Sequence, residues 1–223
     1  MTTVEVTGDR RAVLHRRIRL VVLFTIAYNL VEAVISLAAG AAASSVALLG
    51  FGLDSLIEVL SAAAVAWQFT RKDPERYEKA TLRVIAVAFF LLAGYLVVTG
   101  ILTLAGMWPE PEHSPLGLAI TGVSVVVMPV VSWVERRAGQ ELGSATAVAD
   151  SKQTLLCSWL SAAVLVGLAL NSLFGFSWAD LVATAVIVVF AVREGVEAWR
   201  GDACGASVTM LKGGSTTGDD CCD

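Results

Sequence analysis

Charge is scarce in this chain of 223 residues: Asp, Glu, Lys and Arg make up 16% of it, against 56% hydrophobic residues. A soluble domain usually carries about 25% charged and about 45–50% apolar residues, so a water-soluble globule is excluded. Histidine is scarcer still, with two in the chain. His15 and His113 both fall outside the long apolar runs, which leaves no Ser–His or Cys–His pair for nucleophilic catalysis within them. The four cysteines, Cys157, Cys204, Cys221 and Cys222, lack the spacing of a secreted disulfide framework. A net charge of −4 offers no basic surface to a nucleic acid. No cofactor motif is present, and the chain reads as a non-enzyme without a cofactor.

Apolar length is what the chain has in abundance, with a mean hydropathy of +0.72. Residues 20–41, 46–69, 84–106, 115–134, 145–170 and 177–192 form six runs bounded by charged, Pro- or Gly-containing stretches. Each approaches or exceeds the roughly 17–25 residues that cross a bilayer. The fold expected is an all-α membrane protein, a six-transmembrane-helix bundle. Its organisation is a basic N-terminus over 1–19, a helical domain over 20–198 and a short Cys-containing tail over 199–223. Arg16, Arg17 and Arg19 precede the first run as in a signal peptide. That run is too long for an h-region and no A-x-A site follows it, so it reads as a retained anchor.

Positive charge alternates along the chain. Arg10, Arg11, Arg16, Arg17 and Arg19 precede span 1, and Arg71, Lys72, Arg76, Lys79 and Arg83 separate spans 2 and 3. Arg136 and Arg137 separate spans 4 and 5, and Arg193, Arg200 and Lys212 follow span 6. The other three connections hold no basic residue. The positive-inside rule then places both termini in the cytoplasm, in a multi-pass protein of the cell membrane. Lys152, inside span 5, is the one basic residue outside this pattern.

A few polar residues interrupt the spans: Asn29 and Glu32 in span 1, Asp54 and Glu58 in span 2, Asp150, Lys152 and Gln153 in span 5, and Asp180 at the outer end of span 6. An ionised group at mid-bilayer costs at least about 2.5–3.5 kcal/mol, so these groups must converge on a shared polar interior. Spans 3 and 4 lack charge except at their ends and are the expected outer or partner-facing helices, against which spans 1, 2, 5 and 6 would rock. At 1.5 Å per residue, Glu32 lies roughly 18 Å in from one end of its span, and Asp54 and Glu58 lie roughly 12 and 18 Å from the other. Asp54 and Glu58 are spaced i, i+4, and Asp150, Gln153 and Cys157 are spaced i, i+3, i+7, so each set shares a helical face. Facing one another, they would make a cluster of oxygen ligands with one sulfur, which is a cation site by its chemistry. The same acids could instead pair with Lys152 to hold the bundle together. Glu32, with Asn29 and Ser36 on its face, lines the same cavity, whether to bind cation, to relay protons or to pair with Lys152. Asp180 suits a helix cap or a pathway residue. The run from Gly40 to Ser45 reads as a tight helix connection and nothing more. A weak echo of Asp54-Ser55 and Ser61-Ala62-Ala63 appears in Asp150-Ser151 and Ser161-Ala162-Ala163, with a spacing four residues longer.

At these residues the sequence resembles the cation diffusion facilitator family of divalent-metal transporters. The stretch from Ser44 to Glu58 looks like the family's second helix, with Asp54 and Glu58 at its two ligand positions. Lys72 to Ala80 looks like the polar loop before the third helix, and Trp178-Ala179-Asp180 matches the opening of the sixth. Ala149 to Cys157 is similar to the fifth-helix motif A-D-x-x-H-x-x-x-D, with Gln153 and Cys157 standing where the pattern has His and Asp. Asp150 is placed to supply the carboxylate that Cys157 replaces. The resemblance covers roughly residues 20–198 and implies a short form of the family, without its cytoplasmic C-terminal domain. It also implies a homodimer, which would then have to form through membrane helices.

The function expected is export of a divalent metal cation from the cytoplasm, zinc, iron, cobalt, manganese or cadmium, by exchange with protons. The residues expected to hold the metal are Asp54, Glu58, Asp150, Gln153 and Cys157. Asn29, Glu32, Lys152 and Asp180 are expected along the pathway or in proton coupling. Cys204, Cys221 and Cys222 could capture a thiophilic ion, or belong to a solvated or lipidated tail. A rival reading is a metal-binding membrane sensor or assembly partner, which would bind without pH-gradient-dependent flux. A Schiff-base role for Lys152 is a third, with nothing beside its amine to support it.

Overall fold

Each apolar run folds as one helix, and each helix outlasts its run because the polar flanks continue it. α1 (Gly8–Ala42), α2 (Val46–Phe69), α3 (Pro74–Leu104), α4 (Pro115–Leu142), α5 (Ala145–Phe174) and α6 (Trp178–Arg200) follow in order, with no strand among the described residues. The computed structural model describes the backbone of residues 8–69, 74–142 and 145–200, and the side chains of 20–64, 67, 79–134, 136–138, 140–141 and 154–200. Part of the expected N-terminal segment, from Gly8, therefore belongs to α1. The rest of that segment and the tail beyond Arg200 lie outside the described residues.

Among the described residues five helices contain segments long and apolar enough to cross a membrane: Leu20–Ala42, Val46–Ala64, Lys79–Leu104, Pro115–Ala138 and Thr154–Phe174. The sixth expected span corresponds to α6, a helix of 23 residues. It carries Asp180, Arg193, Glu194, Glu197 and Arg200.

The connections show an up-and-down path. Those after α1, α3 and α5 gather at one end, where the Glu112 amide donates to Ala43 O at 2.8 Å, Trp108 Nε1 to Ser44 O at 3.3 Å, and Asn171 Nδ2 to Pro111 O at 2.9 Å. At the opposite end Arg83, near the start of α3, lies 5.6 Å over the ring of Trp199, near the end of α6. Two of the tight ends rest on glycine. Gly106 (φ 69°) and Gly175 (φ 68°) adopt the left-handed backbone that ends a helix and returns the next amides to its last carbonyls.

α3 runs beside α6 and α4 beside α5, while α2 touches α1, α3, α5 and α6. The core lies around α2: Leu48, Leu96, Val164, Leu168 and Ile187 are almost wholly buried. Among the described residues α3 packs on α6 and α2, and α4 packs on α5 and α1.

Candidate functional site

The register of α1 against α2 places the polar groups. Moving along α1 through Asn29, Glu32, Ser36 and Gly40 meets α2 in reverse order, at Glu58, Ser55, Gly52 and Leu49. The helices are antiparallel, and each step of three or four residues on one is matched on the other. Gly52 makes the close approach possible, since a Cβ there would fall 2.9 Å from Leu37 N and 3.1 Å from Ser36 Cβ. Glu32 thus stands beside Ser55 and Glu58 beside Asn29, about one turn apart along the helix pair.

Two buried centres result. In the first, Asn29 Nδ2 donates to Glu58 Oε2 at 2.5 Å, and the Cys157 thiol donates to Glu58 Oε1. One carboxylate thereby joins α1, α2 and α5. Asn29 is 3% exposed and its Oδ1 finds no partner among the described residues; an unsatisfied buried polar atom costs about 1–3 kcal/mol. Asp54 sits one turn away on α2, also buried, and no described side chain donates to it. The Ser161 hydroxyl donates to Cys157 O at 2.9 Å within α5.

In the second centre Glu32 accepts from Ser55 Oγ at 2.8 Å on one oxygen and from Ser124 Oγ on the other. Tyr28 OH lies 2.7 Å from the same Ser124 Oγ. Two serine hydroxyls thus hold a carboxylate that is 2% exposed, and a phenol adjoins one of them. Ser124 belongs to α4, so that helix supplies a polar group to the centre. Ser36, on the face of Glu32, is fully buried, and its Oγ has no partner among the described residues.

Asp180 caps a helix, but not its own. Oδ2 accepts from Val46 N at 3.0 Å and Ala47 N at 3.2 Å, and Oδ1 from Ser45 Oγ at 2.5 Å. Ser45 Oγ accepts from Leu48 N at 3.1 Å, and Ser45 N donates to Gly40 O at 3.0 Å. Every amide that the first turn of α2 leaves without a helical acceptor is satisfied, and the negative charge meets the positive end of the helix dipole. The segment from Gly40 to Ser45 is therefore more than a connection: it is where α6 is fastened to α2.

Among the described residues no three His, Cys, Asp or Glu side chains stand together as a metal cage. Asp150, Lys152 and Gln153 are on α5, one to two turns before Cys157, and their side chains lie outside the described residues, as do Cys204, Cys221 and Cys222. The hydroxyls of Ser55, Ser124 and Tyr28 and the cap at Ser45 escaped the sequence reading. Ser55 adjoins Asp54, and that adjacency was the available signal; Ser124 and Tyr28 gave none.

Residues 22–200 match the cation efflux transmembrane domain, a span that takes in all six helices. An uncharacterized transporter of Synechocystis sp. (strain ATCC 27184 / PCC 6803 / Kazusa) is 29% identical over 160 residues, which cover 66% of this chain and 50% of that protein. The chain spans about half the length of this curated relative. Cation efflux proteins are transporters, and the apolar helices make this one a multi-pass integral protein of the cell membrane. The chain belongs to the cation diffusion facilitator family of cation transporters.

Proposed function

We propose that the protein exports a divalent metal cation from the cytoplasm in exchange for protons, through a site between α2 and α5. The observation that carries the reading is the Glu58 carboxylate, shared between Cys157 of α5 and Asn29 of α1. A carboxylate beside a thiol, with a second carboxylate one turn away at Asp54, gives a divalent ion both charge compensation and a borderline-soft ligand. Asp150 and Gln153, one to two turns before Cys157 on α5, complete the proposed ligand set.

The exchange follows from ligand chemistry. The Cys157 thiol must lose its proton to become a thiolate ligand, and any protonated acid must do the same, so metal entry expels protons and protonation expels metal. The basic residues around the ends of α1, α2, α3 and α6 place those ends on the cytoplasmic side. The ion is then taken up from there and released at the end that Asp180 closes. Glu32, with its hydroxyl partners, lines the route on the α1 and α4 side, and Lys152 lies on α5 within the same span. Zinc, cadmium, cobalt, iron and manganese all suit oxygen ligands with one sulfur.

Metal flux into proteoliposomes under an imposed pH gradient tests the reading. Flux that depends on the gradient and disappears in Asp54→Ala and Glu58→Ala supports it. Binding without flux in the wild-type protein overturns it in favour of a sensor.

A further inference from the structure

We propose that Asn29 of α1 is a direct ligand of the transported cation, which makes the site one of three helices instead of two. The inference rests on the reading of Glu58 as a cation ligand. Asn29 is 3% exposed, its Nδ2 donates to Glu58 Oε2 at 2.5 Å, and its buried Oδ1 has no partner among the described residues. The hydrogen bond to Glu58 uses only the donor half of the amide. The unused half is a carbonyl oxygen, a hard neutral ligand, held on the group that touches the carboxylate.

An amide can serve both conditions of such a site because it presents a donor on one side and an acceptor on the other. Facing a carboxylate, the NH2 side is favoured. Facing a cation bound to that carboxylate, the oxygen side is favoured, and a half-turn about the last side-chain torsion exchanges them. Asn29 Oδ1, a Glu58 oxygen and Cys157 Sγ would then surround the ion from α1, α2 and α5. A hard neutral oxygen also fills a coordination position without adding negative charge, which keeps the loaded site close to neutral and allows release.

Two backbone features hold Asn29 at that position. It lies one turn from Glu32, whose carboxylate is fixed by Ser55 and Ser124, and the close α1–α2 approach at Gly52 sets the spacing. The amide therefore has a fixed reach to Glu58, and only its orientation is free to change.

The test uses the full-length protein in detergent with Cd2+ as the probe, by calorimetric titration and cadmium X-ray absorption. Asn29→Leu is expected to weaken Cd2+ binding at least about tenfold and to remove one oxygen or nitrogen scatterer. Asn29→Asp, which keeps an oxygen and adds charge, is expected to bind at least as tightly as wild type with the scatterer count retained. Wild-type affinity and an unchanged scatterer count in Asn29→Leu would overturn the proposal. If Asn29→Leu does not fold, binding by Asn29→Asp weaker than wild type overturns it. Glu58→Gln separates the two readings. Lost binding there with intact binding in Asn29→Leu refutes Asn29 alone, whereas intact binding in both refutes the site itself.

Discussion

Cys157 of α5 donates its thiol hydrogen to Oε1 of Glu58 in α2, joining residues 99 positions apart in the sequence. This contact ties the expected fifth-helix ligand position to the second-helix one. If both are ligands, as proposed, their difference in softness sets the metal preference.

Cys157→Ser keeps a donor for Glu58 but removes the soft atom. Cadmium affinity is expected to fall by about tenfold or more relative to manganese, with little change in thermal stability. Competition between the two ions on purified protein measures it. An unchanged preference would show that sulfur does not touch the ion.

Asp180→Ala leaves Val46 N, Ala47 N and the Ser45 hydroxyl without their buried acceptor. The expected loss is about 2 kcal/mol or more, given caps worth about 0.5–2 kcal/mol and stronger bonds to charged groups. Asp180→Asn keeps one acceptor oxygen and should fall between wild type and Asp180→Ala. Ser45→Ala removes only the bond from Leu48 N and the donor to Asp180, and is expected to cost about 1 kcal/mol. Thermal unfolding in detergent ranks the variants; an equal midpoint for Asp180→Ala and wild type would refute the cap.

Much of this arrangement was legible in the sequence, and the reason is the membrane itself. Hydrocarbon tolerates few charges, so Glu32, Asp54 and Glu58 stood out, and the i, i+4 spacing assigned the last two to one face before any contact was known. Helical rise put Glu32 and Glu58 at similar depths, whereas the α1–α2 register sets Glu32 beside Ser55 and Glu58 beside Asn29, about one turn apart. Serines carry no such signal, because their hydroxyls can bond to the carbonyl four residues back, as Ser55 does to Phe51 O and Ser124 to Ile120 O. Their second partner, Glu32, is set by tertiary packing alone. The sequence leaves Asp180 open between a cap and a pathway residue; the helix it caps is α2, and Ser45, just before that helix, lies 135 residues earlier.

Gly52→Val is expected to separate α1 from α2 and to cost about 1–3 kcal/mol from overpacking, with loss of the Asn29–Glu58 and Ser55–Glu32 bonds. Gly94→Ala supplies the contrast, since a Cβ at Gly94 meets nothing within 4 Å. There the gain in helix propensity, about 1 kcal/mol, is the only effect expected. Unfolding midpoints that shift down in the first and stay level or rise in the second would agree with the packing. Equal shifts would contradict it.

The most direct test of a metal and proton exchanger centred on Glu58 is zinc uptake into proteoliposomes, followed together with lumenal pH. With an outward-directed proton gradient, wild-type protein is expected to accumulate zinc while protons leave, and Glu58→Gln is expected to do neither while remaining folded. Zinc accumulation by Glu58→Gln at the wild-type rate, or wild-type flux indifferent to the gradient, would contradict it.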